Sequence, residues 1–236
     1  MYAEAKTWNP FKGCEFDCTY CRPSFQALAK WQKQCPDCVA YRPHEHPERL
    51  IKIPNAPIIF VCGNGDLSFC RAEFTSAILE RLSWHRLGRE DRITYYLQSK
   101  RPEYFAPFIE REEVVPEVVF VTTLETNRDE GYEAISRAPP PIERLQQFAA
   151  LPWPHKVVTA EPVMDFDLGP MFEMIASIRP DHIWIGYNSR PRAVQLPEPP
   201  PEKVMALMER LTNTGIEVRG KDLRGLEVPS ALRTGC

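Results

Sequence analysis

The residues best suited to chemistry lie near the N-terminus, in the run Trp8-Asn9-Pro10-Phe11-Lys12-Gly13-Cys14-Glu15-Phe16-Asp17-Cys18-Thr19-Tyr20-Cys21. Its thiols, Cys14, Cys18 and Cys21, are spaced C-x3-C-x2-C, close enough along the backbone to converge on one inorganic centre. A closed structural zinc site takes four nitrogen or sulfur ligands, and an electron-transfer iron–sulfur cluster is generally held by four cysteines. Three local thiolates leave one metal position open to a substrate or cofactor. The competing readings are reduced thiols in a loop, or a zinc knuckle completed by a distant residue.

A second group follows: Cys35-Pro36-Asp37-Cys38 and then His44-Glu45-His46. Two thiols and two imidazoles are the ligand types of a tetrahedral zinc site, although the interval from Cys38 to His44 is shorter than in a zinc finger. Three readings stay open. Cys35, Cys38, His44 and His46 form a second metal site for zinc; Cys35 and Cys38 join Cys62 or Cys70 around an auxiliary iron–sulfur cluster; or the thiols are inert and the histidines exposed. By themselves Cys62 and Cys70 read as thiols at the edge of the core.

The elements that must position these groups alternate between short apolar runs and amphipathic stretches. Strands are expected at 7–10, 57–62, 93–97, 118–123, 156–160, 182–185 and 216–218, and helices at 24–33, 72–85, 104–110, 142–150, 168–178 and 201–212. The run Pro57-Ile58-Ile59-Phe60-Val61-Cys62 is typical, apolar throughout as in a strand buried on both faces. Strand–helix alternation calls for a parallel sheet with right-handed crossovers. Six or seven such units are too few for a full eight-fold barrel, and periodicity does not separate a curved sheet from an open doubly wound one. The chain reads as one α/β domain over 1–236, with a Cys/His-containing excursion at about 34–50.

Polar residues recur just past the strands: Asp66, Lys100, Arg101, Glu125, Asn127, Glu161, Asn188 and Arg190. In a barrel they would face one mouth, where active sites of that architecture lie. Gly63-Asn64-Gly65-Asp66 ends the second strand, its glycines allowing close backbone approach; the alternative is a simple tight turn. Glu161 and Asn188 are the catalytic candidates of the set.

At Cys14, Cys18, Tyr20 and Cys21 the chain resembles the radical S-adenosylmethionine (SAM) superfamily, whose signature is C-x3-C-x-aromatic-C. The resemblance implies a partial (β/α)6-type TIM-like barrel and a [4Fe–4S] cluster on Cys14, Cys18 and Cys21, with SAM chelating the fourth iron. It also implies reductive cleavage of SAM to a 5′-deoxyadenosyl radical, which abstracts hydrogen from a substrate. Tyr20 supplies the aromatic position. Gly63, Asn64, Gly65 and Asp66 stand where the superfamily carries a Gly-Gly-Glu-type loop facing the amino group of SAM, here with a shorter carboxylate. Lys100 would meet the SAM carboxylate or a substrate phosphate, and Glu125 the ribose or sulfonium side. Trp8-Asn9-Pro10, Ser99-Lys100-Arg101-Pro102, Leu124-Glu125-Thr126-Asn127, Ala160-Glu161-Pro162 and Trp184-Ile185-Gly186 resemble, in order, motifs of a phage- and prokaryote-encoded radical-SAM-like branch of largely unassigned function. A reducing donor of flavodoxin or ferredoxin type is the implied partner. The phage association makes a nucleotide or nucleic acid the substrate to test, with Arg101, Arg128, Arg190 and Arg192 as contacts.

Composition sets limits. With 236 residues, 43% hydrophobic, the chain can bury one substantial core. Lys+Arg 29 against Asp+Glu 32 gives a net charge of −3, which argues against a broad phosphate-binding surface and leaves room only for a local basic groove. The absence of a signal-like start and of any 18-residue apolar run leads to the expectation of a cytoplasmic protein with no membrane partner. Eight cysteines at short spacings fit metal binding in a reducing compartment better than disulfides. The function from a different class is a zinc-binding nucleic-acid interaction module, without SAM chemistry, in which both cysteine groups are structural.

Overall fold

The structure is a computed structural model that describes residues 4–31, 35–87, 89, 92–221, 223, 224 and 226. Its main sheet has seven strands: β1 (Ala5–Trp8), β2 (Ile58–Val61), β3 (Thr94–Gln98), β4 (Val118–Thr123), β5 (Lys156–Ala160), β6 (His182–Gly186) and β7 (Glu217–Lys221). All are parallel, and each pairs with its sequence neighbours, Trp8 opposite Val61 and Val61 opposite Leu97. A doubly wound sheet needs a point where strand order reverses. Here the order never reverses, and the sheet curls into a half-barrel. The partial barrel expected from the sequence is therefore correct and the open doubly wound alternative is not, and the seven strands fall where seven were expected.

Helices α1 (Ala72–Arg86), α2 (Ala106–Glu110), α3 (Pro141–Ala150), α4 (Leu168–Ile178) and α5 (Pro201–Asn213) fill the crossovers from β2 onward. Helices α3 and α5 begin at a proline, whose fixed φ suits the first helical turn and whose missing N–H costs nothing there. Helix α1 buries Phe74, Ile78, Leu79 and Leu82 on one face, and truncating one such leucine to alanine costs about 2–5 kcal/mol. Strand side chains alternate between two layers. Ile59, Val61, Tyr95, Leu97, Val158 and Ile183 pack in the large core that includes the helices. Phe60, Tyr96, Val119, Val121, Val157 and Trp184 fill the other face. No helix among the described residues is long and apolar enough to cross a membrane.

The crossover from β1 to β2 departs from this plan. The sequence predicts one helix at 24–33 with Phe25, Leu28 and Trp31 at helical spacing. Instead Thr19–Cys21, Arg22–Gln26 and Ala27–Ala29 form successive short helical turns of differing pitch, and residues 32 and 33 lie outside the described part. Phe25, Leu28 and Trp31 are exposed, and Ala29 alone of these turns is buried. The segment follows the cysteine loop rather than the sheet, so helical spacing has no core to face. Beyond it, Pro36–Val39 is one helical turn, His44–Glu45 pairs antiparallel with Phe11–Lys12, and Pro47–Ile51 is a 3-10 turn.

Candidate active site

The cysteine loop leaves the C-terminal end of β1, the end where functional groups gather in barrels. Three neighbours hold it. Trp8 donates its indole N–H to the Arg49 carbonyl (2.9 Å), and the Asn9 carboxamide oxygen accepts from the Asn64 N–H (3.1 Å). Gly13 and Gly65 form a parallel bridge in which the Gly13 N–H donates to Asn64 O and the Asp66 N–H to Gly13 O, each 3.1 Å. A Cβ on Gly65 would stand 2.8 Å from the Gly13 carbonyl, so this crossing needs glycine. Farther along, the Thr19 N–H donates to Ile135 O and the Arg137 N–H to Phe16 O, docking the loop on the segment before α3. Phe16, Cys18 and Ala138 form a small buried cluster there, against which Cys14, Tyr20 and Cys21 pack.

At the centre is a buried charge network. Glu125 accepts from Lys100 Nζ (2.6 Å), Arg144 Nη2 (2.6 Å) and the Tyr132 hydroxyl (3.0 Å), and also from the Tyr20 hydroxyl. Lys100 Nζ bonds to the Tyr20 hydroxyl and reaches Cys18 Sγ at 3.3 Å; Ser136 Oγ lies 3.0 Å from the same sulfur. Burial pushes the Glu125 carboxyl up, but Arg144 and Lys100 outweigh it and hold it well below the ordinary range. Burial likewise opposes the Lys100 charge, and Glu125 and Cys18 keep it firmly protonated. Two buried cations share the Glu125 carboxylate, and one of them, Lys100, stands beside Cys18. The Cys18 thiol is drawn down to about 5 by its hydrogen bond with Cys21, against the effect of burial, with Lys100 and Ser136 adding to the pull. Burial, followed by Asp66, pushes the Cys14 thiol up, while Cys21 is raised by its hydrogen bond to Cys18 and by burial.

This donor set fits an anionic cluster: three thiols, a cation and a hydroxyl turned toward one of them, and no protein carboxylate among the loop's own hydrogen bonds to sulfur. Cys14 borders an open cleft lined also by Phe16, Tyr41, Arg42, Arg101 and Arg137.

The residues expected to contact SAM are placed differently from one another. Asp66 accepts from Ser68 N (3.0 Å), Ser99 Oγ (2.7 Å) and Lys100 N (2.8 Å), so its carboxylate ties the glycine loop to the end of β3. Lys100, Glu125 and Tyr20 are brought together, but on each other. Glu161 ends β5 beside Gly186, with Lys221 Nζ 3.6 Å from its carboxylate. Asn188 does not join the network; its amide donates to Val194 O (2.7 Å) and its oxygen accepts from Arg190 N (2.9 Å), closing its own loop. Asn127 and Arg128 are engaged with Asp167, and Arg128 also with Asp165. Sequence reasoning missed Arg144, Tyr132 and Ser136. The available signal was Arg144 on the buried face of α3 with Pro141 and Phe148, a charge where an apolar residue belongs.

The second group is fully assembled. Cys35 Sγ, Cys38 Sγ and ring nitrogens of His44 and His46 lie within 4.8 Å of one another, whereas Cys62 and Cys70 belong to the apolar core.

These features define an α/β half-barrel with a cysteine loop after its first strand. Among solved structures, the chain is similar to Streptococcus suis SuiB, whose structure was determined bound to precursor peptide SuiA. The TM-score is 0.56 at 9% identity, over 93% of this chain. The chain spans 49% of the length of that protein, so the likeness shows the fold alone. No protein-family profile and no curated protein matches the chain.

Proposed function

We propose that the chain is a radical SAM enzyme, with Cys14, Cys18 and Cys21 as the ligands of a [4Fe–4S] cluster and SAM completing it. One observation carries this reading: the three cysteines occupy the loop after β1 of the half-barrel, with the buried Lys100 ammonium facing Cys18. The bound cluster and SAM supply reductive C–S cleavage and a 5′-deoxyadenosyl radical that takes hydrogen from the substrate. The chain's own residues do the rest. Lys100 and Ser136 hold Cys18 as a thiolate, the ligand form. Glu125 and Arg144 keep Lys100 and Tyr20 in place in a water-poor interior. Asp66 fixes the Gly63–Gly65 turn against the end of β3, and Glu161, just past β5, is the candidate to orient a substrate.

A one-electron donor of flavodoxin or ferredoxin type would reach the cluster through the cleft at Cys14, where Arg101 and Arg137 stand beside Glu15 and Asp17, and Arg42 is held by Asp37. The substrate class put forward is a nucleotide or nucleic acid, met by exposed Arg190 and Arg192 beyond β6. Arg128 drops out of that set, because two aspartates already hold it. SuiB was solved with a peptide, so a peptide is the competitor in a substrate screen.

The test is anaerobic purification, iron–sulfur reconstitution, reduction, and detection of 5′-deoxyadenosine by mass spectrometry. Wild type should release it and the C14A/C18A/C21A variant should not. A loaded cluster that leaves SAM intact under every reductant overturns the proposal. So does zinc without iron in the anaerobic protein, the outcome expected of a zinc-binding nucleic-acid module.

A further inference from the structure

The Cys35/Cys38/His44/His46 group lies outside the chemistry above, on the excursion between β1 and β2. Cys35 Sγ and Cys38 Sγ lie 3.3 and 3.2 Å from His44 Nε2, and Cys38 Sγ lies 3.3 Å from His46 Nε2. A tetrahedron with Zn–S bonds of about 2.3 Å and Zn–N bonds of about 2.0–2.1 Å has S···N edges of roughly 3.5 Å. The separations match that size.

The surroundings point the same way. His44 Nδ1 lies 2.7 Å from the Arg42 carbonyl and His46 Nδ1 2.8 Å from the Glu48 carboxylate. Each oxygen is an acceptor, which fixes the proton on Nδ1 and leaves Nε2 with its lone pair turned to the sulfurs. Metal-bound histidines are held in this way by carbonyls and carboxylates. The Cys38 N–H donates to Cys35 Sγ (3.3 Å), so the Pro36–Val39 turn presents both thiols on one side.

We infer that Cys35, Cys38, His44 and His46 bind one structural zinc ion that pins the excursion against the start of the cysteine loop. Zinc would replace both thiol protons and carry four protein ligands, with no open position for catalysis. The clasp reaches the loop through backbone. His44 lies opposite Lys12 in the two-stranded ladder, the His46 N–H donates to Pro10 O (2.6 Å), and the Cys14 N–H donates to Tyr41 O (3.3 Å). Gly13, with φ +89°, rests on the Arg42 carbonyl with no room for a Cβ. That carbonyl also holds His44 Nδ1, so one peptide group supports both sites.

Metal binding here stands independently of the radical SAM reading; only the effect on cluster loading rests on it. Metal analysis of anaerobically purified protein should give one zinc per chain in wild type and in the C14A/C18A/C21A variant, and none in C35S/C38S. Cobalt(II) added to the demetallated protein should produce the intense d–d and sulfur-to-cobalt bands of a tetrahedral thiolate–imidazole site. Should C35S/C38S fail to fold, E48Q serves instead: it keeps all four ligands and should weaken cobalt binding about tenfold or more in chelator competition. In whichever of the two folds, iron loading after reconstitution should fall. Iron in place of zinc in the triple variant, zinc retained by C35S/C38S, unchanged cobalt affinity in E48Q, or an octahedral cobalt spectrum would each overturn the inference. Loss of 5′-deoxyadenosine formation with zinc intact would count against the enzyme reading alone.

Discussion

The Lys100 ammonium stands 3.3 Å from the Cys18 sulfur, with the Glu125 carboxylate 2.6 Å away on its other side. A buried lysine so placed neutralises charge on a thiolate ligand and favours the more negative, reduced state of whatever Cys18 binds. Lys100→Met should therefore move the midpoint potential of the reconstituted cluster to more negative values in an EPR-monitored titration. Arg144 still covers Glu125, so the loss of stability should be about 1.5–3 kcal/mol, the worth of a hydrogen bond to a charged group. An unchanged potential would show that Lys100 serves only to hold Glu125.

Glu125 is fully buried between two cations. Glu125→Gln leaves Lys100 and Arg144 facing each other without a counter-charge, and breaking a buried pair in this way costs about 3–5 kcal/mol. Denaturant unfolding of the variant would measure it. A residue whose main task was to contact SAM would instead weaken SAM binding while leaving the unfolding midpoint in place.

Neutral His182 is buried at the start of β6, where it accepts a hydrogen bond from Arg219 (3.1 Å), since a guanidinium can only donate. Burial, then the Arg219 charge, pushes its pKa down from 6.5 to about 4. The unfolded chain takes up this proton at higher pH than the folded one, so stability is complete above pH 6.5 and declines as pH falls toward 4. The contribution is about 3 kcal/mol over that window. His182→Gln should flatten this part of the stability profile; a wild-type profile already flat between these limits would refute the assignment.

Gly13→Ala places a side chain against the Arg42 carbonyl at a backbone angle costing roughly 1–2 kcal/mol for an L-residue. Because that carbonyl backs Gly13, the neighbour of Cys14, and also orients His44, iron and zinc contents should fall together. Full occupancy of both metals in the variant would break the proposed link between the two sites.

The strand ladder was readable because inner strands such as β2 and β4 are short, largely apolar runs, and helices α1, α4 and α5 because their buried residues keep helical spacing. The cysteine loop was readable from local spacing. What spacing could not show is where polar groups find partners. Asp66 looks like a residue facing a cofactor, yet most of its acceptor capacity is taken by Ser68, Ser99 and Lys100, the last two of which arrive from β3, over 30 residues away. Arg144 looks like an ordinary helix charge until α3 packs beneath Glu125. The Cys38–His44 interval is shorter than in a zinc finger and left three readings open, because the ladder that folds it back, Phe11–Lys12 with His44–Glu45, is a long-range pairing. Phe25, Leu28 and Trp31 misled in the opposite sense, their helical spacing being local and having no core opposite it.

Strand order equal to sequence order also prescribes a timetable. Chains are made and fold from the N-terminus onward. The edge strand bearing the cysteine loop and β2 are the first two made, and each later strand extends the margin of the one before it. The Cys35–His46 segment is made while Lys100, Glu125, Ser136 and Arg144 have still to emerge. A growing chain would thus shape the approach to Cys14 first and only afterwards close the counter-charge around Cys18, with β5 to β7 walling a mouth whose floor is already laid.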